Sequence, residues 1–304
     1  MRNARFETVD GVLLLDKPVG ASSNAALQRA RRLLNARKGG HTGTLDPLAS
    51  GLMALTFGEA TKFSADLLDA DKRYEARLVL GATTTTGDSE GEVTGRRLVE
   101  VTEADFESVL SRFTGSLEQV PPMHSALKRN GQPLYRLARQ GVEVERSARA
   151  VTIRRLWTIA WDGLEPTIGV ECGKGVYVRT LGEDIGAALG CGAHLGALRR
   201  TRVGPFDIGD AIGLDQLEQL PPALRRERLL PVDAMLQTLP RVDLDPQACE
   251  QLRCGRQVAC GAPSAQRARV YGPQGRLLGV ATVDHGTLIA RRLLSQVPVQ
   301  ELQQ

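Results

Sequence analysis

The chain has 304 residues, with 39 Lys and Arg against 35 Asp and Glu, and 42% of its residues are apolar. This length exceeds what one hydrophobic core usually organises, so we expect one large domain and one small one. No apolar run approaches the roughly 18 residues of a membrane span, and the basic N-terminus lacks the apolar core and cleavage site of a secretory signal. The net charge of +4 is mild, but the positive residues are clustered.

Cysteine usage and motif content limit the chemistry further. The five cysteines are odd in number and show no CxxC spacing, which is typical of reduced thiols in a cytosolic protein. The sequence has neither a GxGxxG dinucleotide motif nor a cluster of His and Cys ligands. We therefore expect a cytoplasmic protein that needs no metal and no cofactor.

The first part of the chain alternates short strands with two helices. In order, the patterns predict a strand at 11–15, a helix over 24–37, strands at 52–57 and 72–81, a loop over 81–95 and a helix over 102–113. Ser22 is a candidate N-cap of the first helix, which carries arginines on the face opposite its alanines and leucines. Thr102 and Asp105 occupy capping-box positions at the start of the second helix. Tyr74 shares the apolar face of its strand, as a buried structural tyrosine or as the wall of a pocket.

The second part begins with a polar, flexible stretch over residues 124–139 that contains four Lys and Arg but no acid. Strands at 151–161 and 167–172, a helix ending near 189 and a second short helix within 192–202 are predicted next. Beyond Arg241, short strand-like runs are separated by Gly-Pro and Asp-His-Gly turns, which is typical of a small all-β module. We place the domain boundary at Pro240.

One acid, Asp46, ends a long cationic segment. From Lys17 through Leu45 the sequence has six Lys and Arg and no Asp or Glu, so the local field favours an ionised carboxylate. The surrounding glycines allow a ligand to approach closely, and Pro47 biases Asp46 toward an extended conformation on a loop. This pattern suits a nucleophile or base that acts on a polyanionic substrate. Spacing alone favours the commoner interpretation, an Asp that only caps or hydrogen-bonds its own turn.

The segment GHTGTLDPLASG at residues 40–51 resembles the signature loop of the TruB family of tRNA pseudouridine synthases, in which the Asp is the catalytic nucleophile. The tail resembles the bacterial PUA-like domain only loosely. The resemblance implies a mixed α+β catalytic domain over 1–240, an RNA-binding insertion at about 119–149, and an all-β PUA-like RNA-binding domain over 241–304. Further motifs that resemble the family lie at 11–18, 22–23, 72–74, 119–135, 173–181 and 192–200.

The resemblance also implies an activity, namely conversion of uridine to pseudouridine at position 55 in the T arm of tRNA, by base flipping and without a cofactor. Such an enzyme binds tRNA, has no membrane association or obligate protein partner, and acts as a monomer. Breaking the glycosidic bond, turning the base and rejoining it through carbon 5 consumes nothing. A carboxylate serves as nucleophile, because Asp titrates near ~4 and is ionised at neutral pH.

The family's motifs assign roles residue by residue. Asp46 is the nucleophile, Arg179 pairs with it and keeps it ionised, and Tyr74 stacks on the base and takes part in proton transfer. Each has a plainer alternative, such as a buried structural Arg or a hydrogen-bonded loop His. The expected substrate-binding residues comprise one side chain that fills the space of the flipped base, two pocket residues and four cations: His41, Tyr177, Leu198, Lys17, Lys128, Arg129 and Arg139.

Two other functions remain open from the sequence. One is an RNA-binding module or tRNA-folding chaperone that has lost catalysis, which intact Asp46, Tyr74 and Arg179 argue against. The other is a pseudouridine synthase for a guided or non-tRNA substrate. The short tail and the absence of Lys-rich extensions favour the stand-alone enzyme.

Overall fold

The structure is a computed structural model that describes residues 6–125, 127–129 and 131–295, without the side chains of Lys128 and Arg139. Its helices are α1 (Ser23–Leu33), α2 (Ser64–Leu68), α3 (Glu103–Ser111), α4 (Leu134–Arg139), α5 (Val178–Ala188), α6 (Leu214–Gln219), α7 (Pro222–Glu227) and α8 (Pro246–Arg253). Its strands are β1 (Gly11–Lys17), β2 (Gly39–His41), β3 (Ser50–Phe57), β4 (Lys72–Leu80), β5 (Ala82–Thr84), β6 (Val93–Arg96), β7 (Gly115–Gln119), β8 (Lys128–Arg129), β9 (Gln132–Pro133), β10 (Arg149–Ala160), β11 (Thr167–Cys172), β12 (Ala193–Val203), β13 (Phe206–Asp207), β14 (Ile212–Gly213), β15 (Leu229–Leu230), β16 (Arg241–Asp243), β17 (Val258–Ala259), β18 (Ala265–Tyr271), β19 (Leu277–Asp284) and β20 (Thr287–Leu293).

Eleven strands form one mixed sheet in the order β14-β1-β3-β12-β4-β11-β10-β7, with β2 beside β3, β13 beside β12 and β15 beside β1. Strand β12 runs parallel to β3 on one side and antiparallel to β4 on the other. The register places Arg200 between Gly51 and Tyr74. The three central strands therefore bring together segments that are far apart in the sequence.

Helices cover the sheet and create its cores. Helices α1 and α6 pack over the part that contains β1 and β3. Helices α3 and α5 pack over the part that contains β4 and β11. The predicted inward face of β4 is confirmed, since Ala76, Leu78 and Leu80 are buried. The capping box of α3 is also confirmed, because Thr102 accepts from the Asp105 amide and the Asp105 carboxylate accepts from the Thr102 amide.

Residues 192–202 do not form the predicted helix. They form β12, because the main-chain groups of this segment are hydrogen-bonded to β3 on one side and to β4 on the other. The first helix is also shorter than predicted and ends at Leu33. Asn35 there adopts a left-handed φ of 53°, and the Arg37 amide bonds to the Glu7 carbonyl instead of continuing the helix.

Two segments predicted as loops contain regular structure. The range 81–95 is closed at its base by the pairing of β5 with β6. The stretch 124–139 contains the β8–β9 hairpin and helix α4. Both hold their main chain by local hydrogen bonds, which composition alone does not reveal.

The C-terminal part is a five-stranded sheet in the order β16-β18-β19-β20-β17, with its own apolar core. The predicted β-rich tail is confirmed, although helix α8 was not predicted, so the module is not all-β. Its Val280 also packs into a core of the larger part, and Arg267 pairs with Asp66 at 2.7 Å. Among the described residues, no helix is long and apolar enough to cross a bilayer.

Gly51 shows how closely the central strands approach. Its φ is +104°, and a Cβ there would lie 2.3 Å from the Arg200 carbonyl oxygen. Gly115 has the same φ, but a Cβ there would meet nothing within 4 Å. We expect Gly115→Ala to cost about 1–2 kcal/mol from backbone strain alone. Gly51→Ala should cost about 1–3 kcal/mol more, because the strands must move apart.

Urea unfolding of the two variants checks this expectation. Equal midpoints for Gly51→Ala and Gly115→Ala would mean that β3 and β12 can separate without loss, and that the close approach is not required.

Candidate active site

Asp46 lies on the loop between β2 and β3, as its Pro47 neighbour predicts. Its carbonyl accepts from the Ala49 amide at 3.1 Å, which tightens the turn. Leu45, just before it, is buried in the core under α1. The carboxylate itself is 41% exposed. The loop thus anchors its apolar residue and presents its acid to solvent.

Arg179 lies in the first turn of α5 and is 5% exposed. Its Nη2 lies 2.9 Å from Oδ2 of Asp46, which confirms the predicted pairing. Its Nε lies 3.5 Å from Oδ2 of Asp88. Its Nη1 and Nη2 also donate to the carbonyls of Thr86 and His124 at 3.1 and 2.6 Å. Every nitrogen of this buried guanidinium therefore has a partner, which fixes its position against Asp46.

Asp88 holds the far side of that guanidinium. It is 4% exposed on the turn between β5 and β6. Its Oδ1 accepts from the Thr86 hydroxyl at 2.5 Å and from the Glu90 amide at 3.1 Å. The buried Arg179 guanidinium thus lies between two carboxylates. Asp88 is buried, and both of its oxygens have partners, whereas Asp46 is partly exposed. The partly exposed carboxylate, Asp46, remains available for chemistry.

A cavity of about 590 Å³ opens beside Asp46. Tyr74 from β4 and Leu198 from β12 give it apolar walls, and Tyr177 precedes α5 at its edge. The Tyr177 main chain is fixed by Gln119, which bonds to both its amide and its carbonyl. Two rings, an aliphatic side chain and an acid at one rim suit a flat ligand with polar edges.

A second cavity, of about 640 Å³, lies on the other side of the same loop. It is lined by His41, Glu90 and Tyr135, and Asp46 and Arg179 line both cavities. Asp46 is therefore accessible from two directions, so one ligand can occupy both spaces and pass the carboxylate between them.

Three titratable groups near Asp46 have shifted pKa values. Burial raises the pKa of Tyr74, and the nearby Arg200 guanidinium opposes this effect. Burial lowers the pKa of Lys17 to about 8, despite the attraction of Asp46. Burial and Arg200 together lower the pKa of His41, which favours its neutral form. At neutral pH the first cavity therefore presents a neutral phenol beside Asp46, and the second cavity presents a neutral imidazole.

Comparison with known proteins places this geometry in a family. Residues 31–178 match the model of the TruB family pseudouridylate synthase N-terminal domain. Residues 179–237 and 240–294 match the tRNA pseudouridylate synthase B C-terminal domain and the pseudouridine synthase II TruB C-terminal model. The tRNA pseudouridine synthase B of Dechloromonas aromatica is 57% identical over 96% of this chain and 97% of its own length. The chain belongs to the TruB family.

Other TruB relatives and solved structures agree. The tRNA pseudouridine synthase B of Aromatoleum aromaticum is 55% identical over 95% of this chain and 94% of its own. A crystal structure of a Cbf5–Nop10–Gar1 complex matches with a TM-score of 0.73 and 25% identity, over 96% of this chain and 85% of that one. The archaeal box H/ACA Nop10–Cbf5 complex matches with a TM-score of 0.71 at 23% identity, over 96% and 88%. These matches confirm the predicted pseudouridine synthase fold.

The structure brings five of the residues predicted from the TruB motifs to one place. Asp46, Tyr74, Tyr177, Leu198 and Arg179 all line the first cavity. Leu198 reaches it from a strand, because its segment is β12. His41 lies apart from them, at the end of β2 in the second cavity, where its buried Nδ1 has no hydrogen-bond partner among the described residues.

The four cations expected to contact the substrate do not all lie at the surface. Lys17 is fully buried, and its ammonium donates to the carbonyls of Pro18 and Ala21 at 2.8 and 2.7 Å. The prediction that it binds substrate is therefore wrong, since it is not accessible to a phosphate. Arg129 is exposed and donates to the Glu145 carbonyl, so it remains available at the surface. The side chains of Lys128 and Arg139 lie outside the described residues.

Sequence reasoning missed two residues that the TruB fold places at the site. Asp88 carries the same local signal as Asp46, an acid between glycines and threonines, but its loop has no cationic segment around it. Arg200 lies in the segment that the sequence predicts as a short helix, and its residue type alone does not mark it as a site residue. It is 1% exposed, and it donates to the carbonyls of Leu52 and Gly43 at 2.7 and 3.3 Å.

Proposed function

We propose that the protein isomerises uridine to pseudouridine at position 55 in the T arm of tRNA, with Asp46 as nucleophile and without a protein partner. The observation that carries the proposal is the ion pair of Asp46 with buried Arg179 between two cavities. The end-to-end match to relatives named tRNA pseudouridine synthase B supports tRNA as the substrate.

The chemistry follows from the cavity walls. A uridine inside a folded arm must be extruded before Asp46 reaches it, at a cost of a few kcal/mol. In this proposal the flipped base enters the first cavity and stacks on Tyr74 against Leu198, while the adjoining backbone passes the second cavity. His41 borders that second cavity with an unbonded ring nitrogen, which suits contact with the space that the base has left.

Within the first cavity, the Asp46 carboxylate forms a transient bond to the substrate and the glycosidic bond from N1 to the ribose breaks. The base turns, carbon 5 bonds to the ribose carbon, and the bond to Asp46 breaks, which restores the carboxylate. The proton on carbon 5 then leaves and N1 ends with a proton, so nothing is consumed. Tyr74 lies on the wall of that cavity, which places it to take part in the transfer. Arg179 keeps Asp46 oriented through these steps, since it is held by three other oxygens.

Product mapping tests the proposal. Purified protein is incubated alone with an unmodified tRNA transcript, and pseudouridine is located by primer extension after carbodiimide treatment. We expect one modified site, at position 55, and none in a matched transcript with cytidine there. Modification that requires an added RNA or protein would indicate a guided enzyme, and binding without any pseudouridine would indicate a binding module.

The surface cations predict a steep salt dependence. Arg129 and Arg136 on the insertion are exposed, and so are Arg32 in α1 and Arg37 just after that helix. Each phosphate neutralised contributes about −0.7 to −0.9 to the slope of log K against log salt. About five contacts would weaken binding roughly a hundredfold between about 50 and 200 mM salt. Turnover at saturating tRNA should change far less.

A matched pair of double variants assigns the contacts. Arg129→Gln with Arg136→Gln should make the slope of log K against log salt less steep, by nearly the contribution of two phosphate contacts. Arg96→Gln with Arg112→Gln removes the same charge outside the cationic stretches and should leave it unchanged. Equal slopes for the two double variants would mean that the insertion is an ordinary solvated surface.

A further inference from the structure

Ser23 makes an unusual pair of hydrogen bonds to the residue that precedes Asp46. It is the first residue of α1 and is 3% exposed. Its hydroxyl accepts from the Leu45 amide at 2.8 Å and donates to the Leu45 carbonyl at 2.7 Å. One side chain therefore binds both main-chain polar groups of Leu45, and the peptide that joins Leu45 to Asp46 is fixed at its carbonyl end.

The residue after Asp46 is attached to the same segment. The Gly20 amide donates to the Pro47 carbonyl at 2.8 Å. The turn that carries Gly20 is itself closed by the Lys17 ammonium, which donates to the carbonyls of Pro18 and Ala21. Residues 17–23 therefore hold the chain on both sides of Asp46, with Gly20 on one side and Ser23 on the other.

These main-chain hydrogen bonds act together with the ion pair that holds the Asp46 carboxylate. Arg179 fixes the outer end of the Asp46 side chain, but that side chain is 41% exposed and its loop contains Gly43 at a positive φ of 96°. A loop of this kind moves unless its main chain is bonded elsewhere. A nucleophile has to be held within a narrow range of distance and angle from the carbon that it attacks.

We propose that Ser23 is a positioning residue for the reaction: its hydroxyl clamps Leu45 and so holds the Asp46 carboxylate at attacking distance. This inference rests on the proposed role of Asp46 as nucleophile. It assigns to Ser23 an effect on the chemical step and little effect on tRNA binding. Ser23 borders the second cavity but is only 3% exposed, and its hydroxyl is already bonded to the main chain of Leu45.

Ser23→Ala tests the clamp, since it removes one oxygen and places a good helix former in the first turn of α1. Under single turnover at saturating tRNA, we expect the rate to fall about 100-fold while Kd stays within about threefold of wild type. Ser23→Thr, which keeps the hydroxyl, should recover most of the rate. Thr102→Ala is the matched control, because it loses the α3 cap and some stability far from the site, and it should turn over like wild type.

Amide hydrogen exchange gives a readout that does not depend on activity. In Ser23→Ala, the Leu45 amide loses its acceptor and should exchange faster than in wild type or Thr102→Ala. Unchanged protection of the Leu45 amide, or an unchanged single-turnover rate in Ser23→Ala, would overturn the inference. A wild-type protein that makes no pseudouridine would instead overturn the proposed function, and the exchange result would still decide whether Ser23 holds the loop.

Discussion

Asp46→Asn is expected to abolish isomerisation while leaving tRNA affinity within a few-fold of wild type. An amide cannot replace the carboxylate as a nucleophile, and the substitution preserves the shape of the side chain. Losing the negative charge also eases the approach of phosphates to a loop that follows a cationic segment. Pseudouridine formation and tRNA Kd, measured on the same preparation, separate the two effects.

The size of the residual rate decides the assignment. Turnover above about a hundredth of wild type would be incompatible with Asp46 as nucleophile, because loss of a nucleophile usually costs far more. Asp46→Ala should behave in the same way and excludes a contribution from slow conversion of Asn to Asp. Both variants should melt near wild type, since Asp46 is partly exposed and its buried partner Arg179 retains Asp88.

Arg179→Met should abolish activity and also destabilise the fold. It removes the guanidinium that lies between Asp46 and Asp88, and Asp88 is only 4% exposed. Breaking a buried ion pair by removing one partner typically costs about 3–5 kcal/mol, since the other charge is left without compensation. Urea unfolding and product formation measure the two losses separately.

A double variant distinguishes the structural loss from the catalytic one. Adding Asp88→Asn to Arg179→Met removes the stranded charge and should restore much of the stability. Activity should stay absent, because Asp46 still lacks its partner. If the double variant regained turnover, the role of Arg179 would be confined to neutralising Asp88. Arg179→Lys, which keeps the charge but not the planar fork, should fall between wild type and Arg179→Met.

The sequence predicts those site residues whose role is indicated by their immediate neighbours in the chain. Asp46 stands out by charge, glycines and Pro47, and Tyr74 by strand alternation, and the structure places both on one cavity. Arg179 came only from the family motif, and its helix was predicted while its place in the first turn was not. Asp88 could not be predicted, because its significance depends on α5 bringing Arg179 against the turn between β5 and β6.

The errors share a physical origin. The segment that forms β12 has a local pattern compatible with a helix, and only its two neighbouring strands make it extended. Lys17 opens the cationic segment, which predicts a phosphate contact, yet the turn at residues 18–21 encloses it. For β12 the deciding partners are strands that are distant in sequence, and for Lys17 the deciding feature is the main-chain geometry of a local turn. Neither is visible in composition.

The parallel pairing of β3 with β12 has a consequence for the newly made protein. Ser50 and Arg199, which face each other in that pairing, are 149 positions apart along the chain. Closing so long a loop is entropically costly, and contacts of large sequence separation form late. The walls of the Asp46 cavity therefore cannot come together until the ribosome has released the chain past Val203. Until then the chain carries its cationic N-terminal segment without the walls of the site, so the site is completed only after most of the catalytic part has been synthesised.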